Sequence, residues 1–152
     1  MRRVGPILLI LFLCLGACAS FPDPQQQRLA ALPQHYKQFD VLMGYEVRPA
    51  DGSTVVQGIV KNVRYFRMRD LEIWAAHLDA RGKVLAQGMT FIMPSELGLD
   101  QSADFTIKIP EAVPPGDRIR ITYKYFGSDG GTHGLGDGTN WMQSFETAAP
   151  AR

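Results

Sequence analysis

Cysteine is nearly absent. The 152-residue chain has two, Cys14 and Cys18, both close to its start. No internal disulfide is available to the rest of the chain, so a domain built from it must be held together by an apolar core. Histidine is scarce as well: His35, His77 and His133 are the three, and none stands in a His-x-x-x-His spacing, which removes the usual basis for a zinc site. No serine lies in a Gly-x-Ser-x-Gly turn and no two acids show a catalytic spacing. The chain is therefore expected not to be an enzyme and to use no cofactor or metal. A charge excess is missing too, since 16 Lys and Arg face 15 Asp and Glu. Such a balance leaves no electrostatic footprint for nucleic acid. Finally, there is no long hydrophobic run. A membrane span takes about 20 apolar residues, and the one apolar stretch near the start gives way too early to the polar segment beginning at Ser20.

That stretch sets the expected address. Met1-Arg2-Arg3 is basic and Val4 to Leu13 is apolar, the two parts of a secretory signal. It closes on Leu15-Gly16-Ala17-Cys18, where small residues leave the backbone open to a peptidase. The order resembles the lipobox of bacterial lipoproteins. The resemblance implies that the Cys18 thiol receives a diacylglycerol, that the chain is cut between Ala17 and Cys18, and that the new amino group is acylated. One acyl chain gives only marginal attachment, at roughly 0.8 kcal/mol per buried CH₂, whereas three hold firmly. In that family an aspartate after the cysteine retains the protein at the inner membrane. Ala19 stands there instead, which implies the outer membrane of a Gram-negative envelope, facing the periplasm. Cleavage would remove Arg2 and Arg3 and leave 14 basic against 15 acidic residues, a net charge of −1.

Beyond the signal the chain is long enough for one domain. Ala19 to Gln27, with Pro22, Pro24 and three glutamines, reads as a tether. Leu29, Leu32, Tyr36 and Phe39 recur at helical spacing, so a short helix broken at Pro33 is expected over Arg28 to Phe39. From Val41 the period becomes twofold and turn residues fall at intervals. Strands are expected over 41–48, 54–63, 68–79, 83–93, 102–109, 118–126 and 140–146, with turns at Pro49-Ala50-Asp51-Gly52, Ala80-Arg81-Gly82 and Pro114-Pro115-Gly116. Alternation is clearest where Phe105, Ile107 and Ile109 face away from Asp104, Thr106 and Lys108. The fold expected is all-β, an immunoglobulin-like sandwich of two antiparallel sheets with about seven strands. The organisation is then 1–17 signal peptide, 18–40 lipidated N-terminus, tether and short helix, 41–147 sandwich, and 148–152 disordered tail.

Gly58-Ile59-Val60-Lys61-Asn62, then Leu78-Asp79, Gly82 and Val84, then Phe105-Thr106-Ile107-Lys108-Ile109-Pro110 and Tyr123-Lys124-Tyr125 form an ordered set. From about Val55 to Tyr125 the chain resembles the FxLYD-type immunoglobulin-like domains of bacterial envelope lipoproteins, although Ala75 and His77-Leu78-Asp79 replace the residues that name the family. The resemblance implies that Asn62 fixes a turn and Asp79 closes a hairpin. It implies no shared chemistry.

Three places could make contacts. The segment 128–140 holds five glycines with Asp129, His133 and Asp137. Its oxygens do not follow a calcium-loop spacing, so it reads as a loose connection or as a loop that orders on a partner, with His133 and Asp137 as candidate binding residues. Trp141 at its edge is the foremost candidate contact residue, or else a cap on the core. Tyr65 and Phe66, between Arg64 and Arg67, form a second patch or cover one end of the sandwich. The expected function is a lipid-anchored, non-enzymatic interaction or scaffolding module whose partners are the membrane and another envelope protein. The alternative is a small-ligand binder, for glycan or metal, that uses loop 128–140.

Overall fold

The computed structural model describes residues 23–128 and 138–151. The expected signal peptide, the expected cleavage site between Ala17 and Cys18 with lipidation at Cys18, and the loop candidates His133 and Asp137 lie outside these residues.

Helix α1 spans Pro24–Ala31. Asp23 caps it by accepting the Gln25 N–H at 2.9 Å, and Pro24 sits in the first turn, where its missing donor costs nothing. The helix stops at Leu32, which is extended, as a residue before proline prefers. Strand β1, Gln34–Lys37, follows at once. The expected tether is thus shorter by residues 24–27, which are helical. The expected broken helix over 28–39 also divides: Leu29 lies on a helix, Tyr36 on a strand and Phe39 in a turn. Their helical spacing is met by three different elements.

Strands β2, Val41–Ala50, and β3, Ser53–Asn62, pair across Asp51-Gly52. Both turn residues have positive φ, 30° and 72°, the mirror-image geometry that suits the twist of a two-residue hairpin. After β4, Arg67–Leu78, β5, Val84–Phe91, β6, Glu96–Leu97, β7, Ser102–Ile109, β8, Arg118–Ser128, and β9, Gly138–Ala148, the chain forms two antiparallel sheets. One has the order β1-β2-β3-β7. The other has β5-β4-β8-β9, with β6 against the start of β4. The architecture is the two-sheet antiparallel sandwich that the alternation predicted. Nine strands appear among the described residues because β1 and β6, four and two residues long, are too short to show a period.

The core lies between the sheets. Ala103, Phe105, Ile107 and Ile109 of β7 meet Ile119, Ile121, Tyr123 and Tyr125 of β8, together with Val41, Met43, Val56, Val60, Leu71 and Ile73. Each large side chain so buried stabilises by roughly 1.5–3 kcal/mol, and these interleaved faces stand in for a disulfide. Helix α1 docks on the outside of the four-stranded sheet at Gly44. A Cβ there would meet the Leu29 carbonyl at 2.6 Å, so glycine is what permits the approach. Arg28 adds an exposed ion pair to Asp104. The tail expected to be disordered from Ala148 is ordered further: Ala148 ends β9, and Ala149 is buried, donating to the Asp117 carbonyl and accepting from Gly116, both at 2.9 Å. Two main-chain bonds and an apolar contact outweigh the freedom of that residue.

Candidate functional site

At the end of the sandwich where β1 turns into β2, the chain passes through Phe39 and Asp40. Asp40 is fully buried, and its carboxylate accepts the hydroxyls of Tyr123 at 2.9 Å and Tyr125 at 2.8 Å from the opposite sheet. Burial, then the carboxylate beside them, pushes both phenols above their ordinary value. They are therefore donors, not nucleophiles or bases. The Asp40 carbonyl accepts the Val63 N–H at 3.0 Å, which ties this turn to the one after β3.

Asn62 shapes that second turn. Fully buried, it donates its amide to the carbonyls of Phe66 at 2.6 Å and Leu97 at 2.9 Å, and accepts the Arg64 N–H at 2.8 Å. Two of these bonds hold 63–66 in one path, and the third ties that turn to Leu97 on β6. The result is a fan of rings around a cation. The Arg64 guanidinium stands 4.8 Å from the centre of the Phe39 ring, 4.9 Å from Phe66 and 5.8 Å from Tyr65. Each such contact is worth about 0.5–1 kcal/mol when exposed. Trp141 meets Phe39 edge to face at 5.4 Å and packs half-buried against the core. Tyr65 is 67 % exposed and Phe39 44 %.

The structure therefore joins two candidates that are 75 positions apart, the Tyr65-Phe66 pair and Trp141, through Phe39 and Arg64. Both of the roles weighed for Trp141 are partly met, since it covers the core and borders the patch. His133 and Asp137 fall outside the described residues, but the strands that flank their segment meet at this same end, with Ser128 paired to Gly138 and to Arg67. Sequence reasoning missed Phe39, Arg64 and Asp40 as site residues. A signal for Asp40 did exist: two tyrosines on the inward face of β8 need a buried acceptor.

Elsewhere the chemistry is spent on structure. His77 offers Nδ1 to Glu111 and Nε2, at 3.0 Å, to Asp117, two partners on opposite sides of the ring. Asp79 accepts the Arg81 and Lys83 N–H groups at 2.8 and 2.9 Å and so closes the β4–β5 hairpin. A groove of about 350 Å³ on the outer face of the five-stranded sheet is lined by Trp74, Gln87, Thr122 and Met142. Its charged groups neutralise one another, Arg120 with Glu146 and Lys124 with Glu72. Among the described residues no three His, Cys, Asp or Glu side chains are placed to hold a metal ion, and no helix is long and apolar enough to cross a membrane.

No family model matches the chain, and no curated protein matches it by sequence. Solved structures do resemble it. The GAE domain of GGA2p from Saccharomyces cerevisiae superposes with a TM-score of 0.50 at 10 % identity, over 78 % of this chain and 97 % of that one. The yeast GGA1 GAE domain gives a TM-score of 0.48 at 13 % identity, over 76 % and 96 %. Similarity at such low identity is one of fold alone, and the fold is an immunoglobulin-like β-sandwich.

Proposed function

We propose that the chain is a lipid-anchored bacterial envelope protein whose sandwich is a non-enzymatic interaction or scaffolding module for another envelope protein. The observation that carries the interaction reading is the Arg64 patch. One arginine held by three rings, with Tyr65 largely in water and Trp141 at the border, is the residue set that dominates protein interfaces, large rigid area at little entropy cost. Its pieces are pre-set by Asn62 and Asp40, so a partner would not have to order them.

The signal-like start and Leu15-Gly16-Ala17-Cys18 support the anchor, with Ala19 favouring the outer membrane, facing the periplasm. Because α1 is docked from Pro24, only residues 19–23 separate Cys18 from the domain, a reach of at most about 20 Å. The module would ride close to the leaflet and present its patch there, rather than search widely.

The test is a photoreactive amino acid at Tyr65 in intact cells, compared with the same probe at exposed Thr106 on the outer face of the four-stranded sheet. One defined envelope protein is expected at position 65 and not at 106, lost when Arg64→Ala is added. Identical products at both positions, or none at 65, would overturn the reading.

A further inference from the structure

Strand β5 is an edge without a charge. From Val84 to Met93 the chain reads Val-Leu-Ala-Gln-Gly-Met-Thr-Phe-Ile-Met, yet no residue of β5 is fully buried. Val84, Leu85, Phe91 and Met93 are 40–74 % exposed, and Met89 lies opposite Trp74 on the outer face of the sheet. An apolar strand that the fold leaves unpaired along one edge is unusual, since exposed edges are normally blunted by lysine, proline or a bulge. The bulge of β5 is confined to its start, where Leu85 is skipped between the pairs His77–Ala86 and Leu78–Val84. Ala86 to Phe91 remain regular, and among the described residues β5 pairs with β4 alone.

The other edges are protected. Strand β1 is four residues long. Asp104 and Lys108 mark β7. On β9, Glu146 is tied to Arg118 and Arg120, and Phe145 stacks on Tyr36 at 3.8 Å.

We propose that a second copy of this chain covers β5, strand against strand and antiparallel, joining two five-stranded sheets into one continuous sheet across a twofold axis. Charge decides for self-pairing. Like charges opposite one another destabilise a ladder, and an edge with none meets its own copy without that penalty. Facing residues must lie on the same side of the sheet, so the axis falls on a residue and not between two. On Gly88 it places Gln87 opposite Met89 of the second copy, and brings Phe91 to the bulged start of that strand, at Leu85. Exposed apolar surface is then buried on both sides, as in the isologous contacts of most homodimers. Gly88 rests on the Lys108 carbonyl, where a Cβ would come within 2.1 Å, so β5 lies close against β7 at this point. The exposed Lys108 side chain belongs to the far face of the other sheet, away from the axis. The inference is independent of the anchor and of the Arg64 patch.

Sedimentation of the full chain in density-matched detergent, at micromolar concentration, tests it. Wild type is expected at twice the chain mass. Gln87→Glu with Met89→Glu, and Gln87→Lys with Met89→Lys, each put like charges across the axis and are expected at the single mass with an unchanged circular dichroism spectrum. An equimolar mixture of the two is expected to return to twice the mass. Phe91→Lys, at a side chain already 61 % exposed, gives the same loss without burdening the fold. A wild-type monomer would overturn the proposal and leave the edge to a strand of another protein. A dimer that survives both double substitutions and Phe91→Lys would overturn it as well.

Discussion

The Tyr125 hydroxyl donates to the Asp40 carboxylate at 2.8 Å across the interior of the sandwich, and Tyr123 takes the other oxygen. This pins the Phe39 turn to the opposite sheet. Asp40→Ala strands two buried hydroxyls, each at about 1–3 kcal/mol, so unfolding free energy in urea is expected to fall by about 2–6 kcal/mol. Tyr125→Phe, which keeps one donor on Asp40, is expected to cost less. A loss below about 1 kcal/mol for Asp40→Ala would show that water satisfies the phenols instead.

Asn62 holds the 63–66 turn by two hydrogen bonds and ties it to Leu97 by a third. Asn62→Ala leaves the Phe66 and Leu97 carbonyls and the Arg64 N–H without those partners, and a cost of about 2–4 kcal/mol is expected. The same substitution should abolish the crosslink at Tyr65 under conditions where the domain is still folded. Retention of that crosslink would mean that the patch does not depend on its support. Tyr65→Ala, by contrast, is expected to change stability by less than about 0.5 kcal/mol.

His77 sits between two carboxylates, Glu111 and Asp117. Burial works against its charge and the two acids outweigh burial, so its pKa is held above the ordinary 6.5. A raised folded value means stabilisation that is complete below the unfolded value and lost as pH rises through the folded one. The urea midpoint of wild type minus that of His77→Gln is therefore expected to be largest near pH 6 and to shrink toward pH 9. A difference that grows over that range would contradict the assignment.

Gly44 is where α1 touches the sheet. Gly44→Ala is expected to push the helix away, with an overpacking cost of about 1–3 kcal/mol and faster proteolysis within residues 24–32. Unchanged protection would mean that the helix is held chiefly by the Arg28–Asp104 ion pair and the His35–Leu29 hydrogen bond.

The sandwich was legible where strands are long and half-buried. Ser102–Ile109 and Arg118–Ser128 alternate almost residue by residue, and the structure buries the apolar set of each. Illegible parts depended on pairing that no local period carries. Gln34–Lys37 is a strand only because β2 folds back beside it, while Leu29, Tyr36 and Phe39 mimic a helix face from three elements. The patch was half visible. Tyr65, Phe66 and Trp141 stand out as aromatics beside turns, but that Arg64 and Phe39 connect them follows from register between strands, which no local pattern carries. Asp40 illustrates the same limit, since its two partners lie 83 and 85 residues away.

The most direct test of an anchored module is the mass of the amino-terminal peptide of the native protein. The expected result is a chain beginning at Cys18 and carrying a diacylglycerol on sulfur with an acyl group on nitrogen. An uncut start, or an unmodified Cys18, would contradict it.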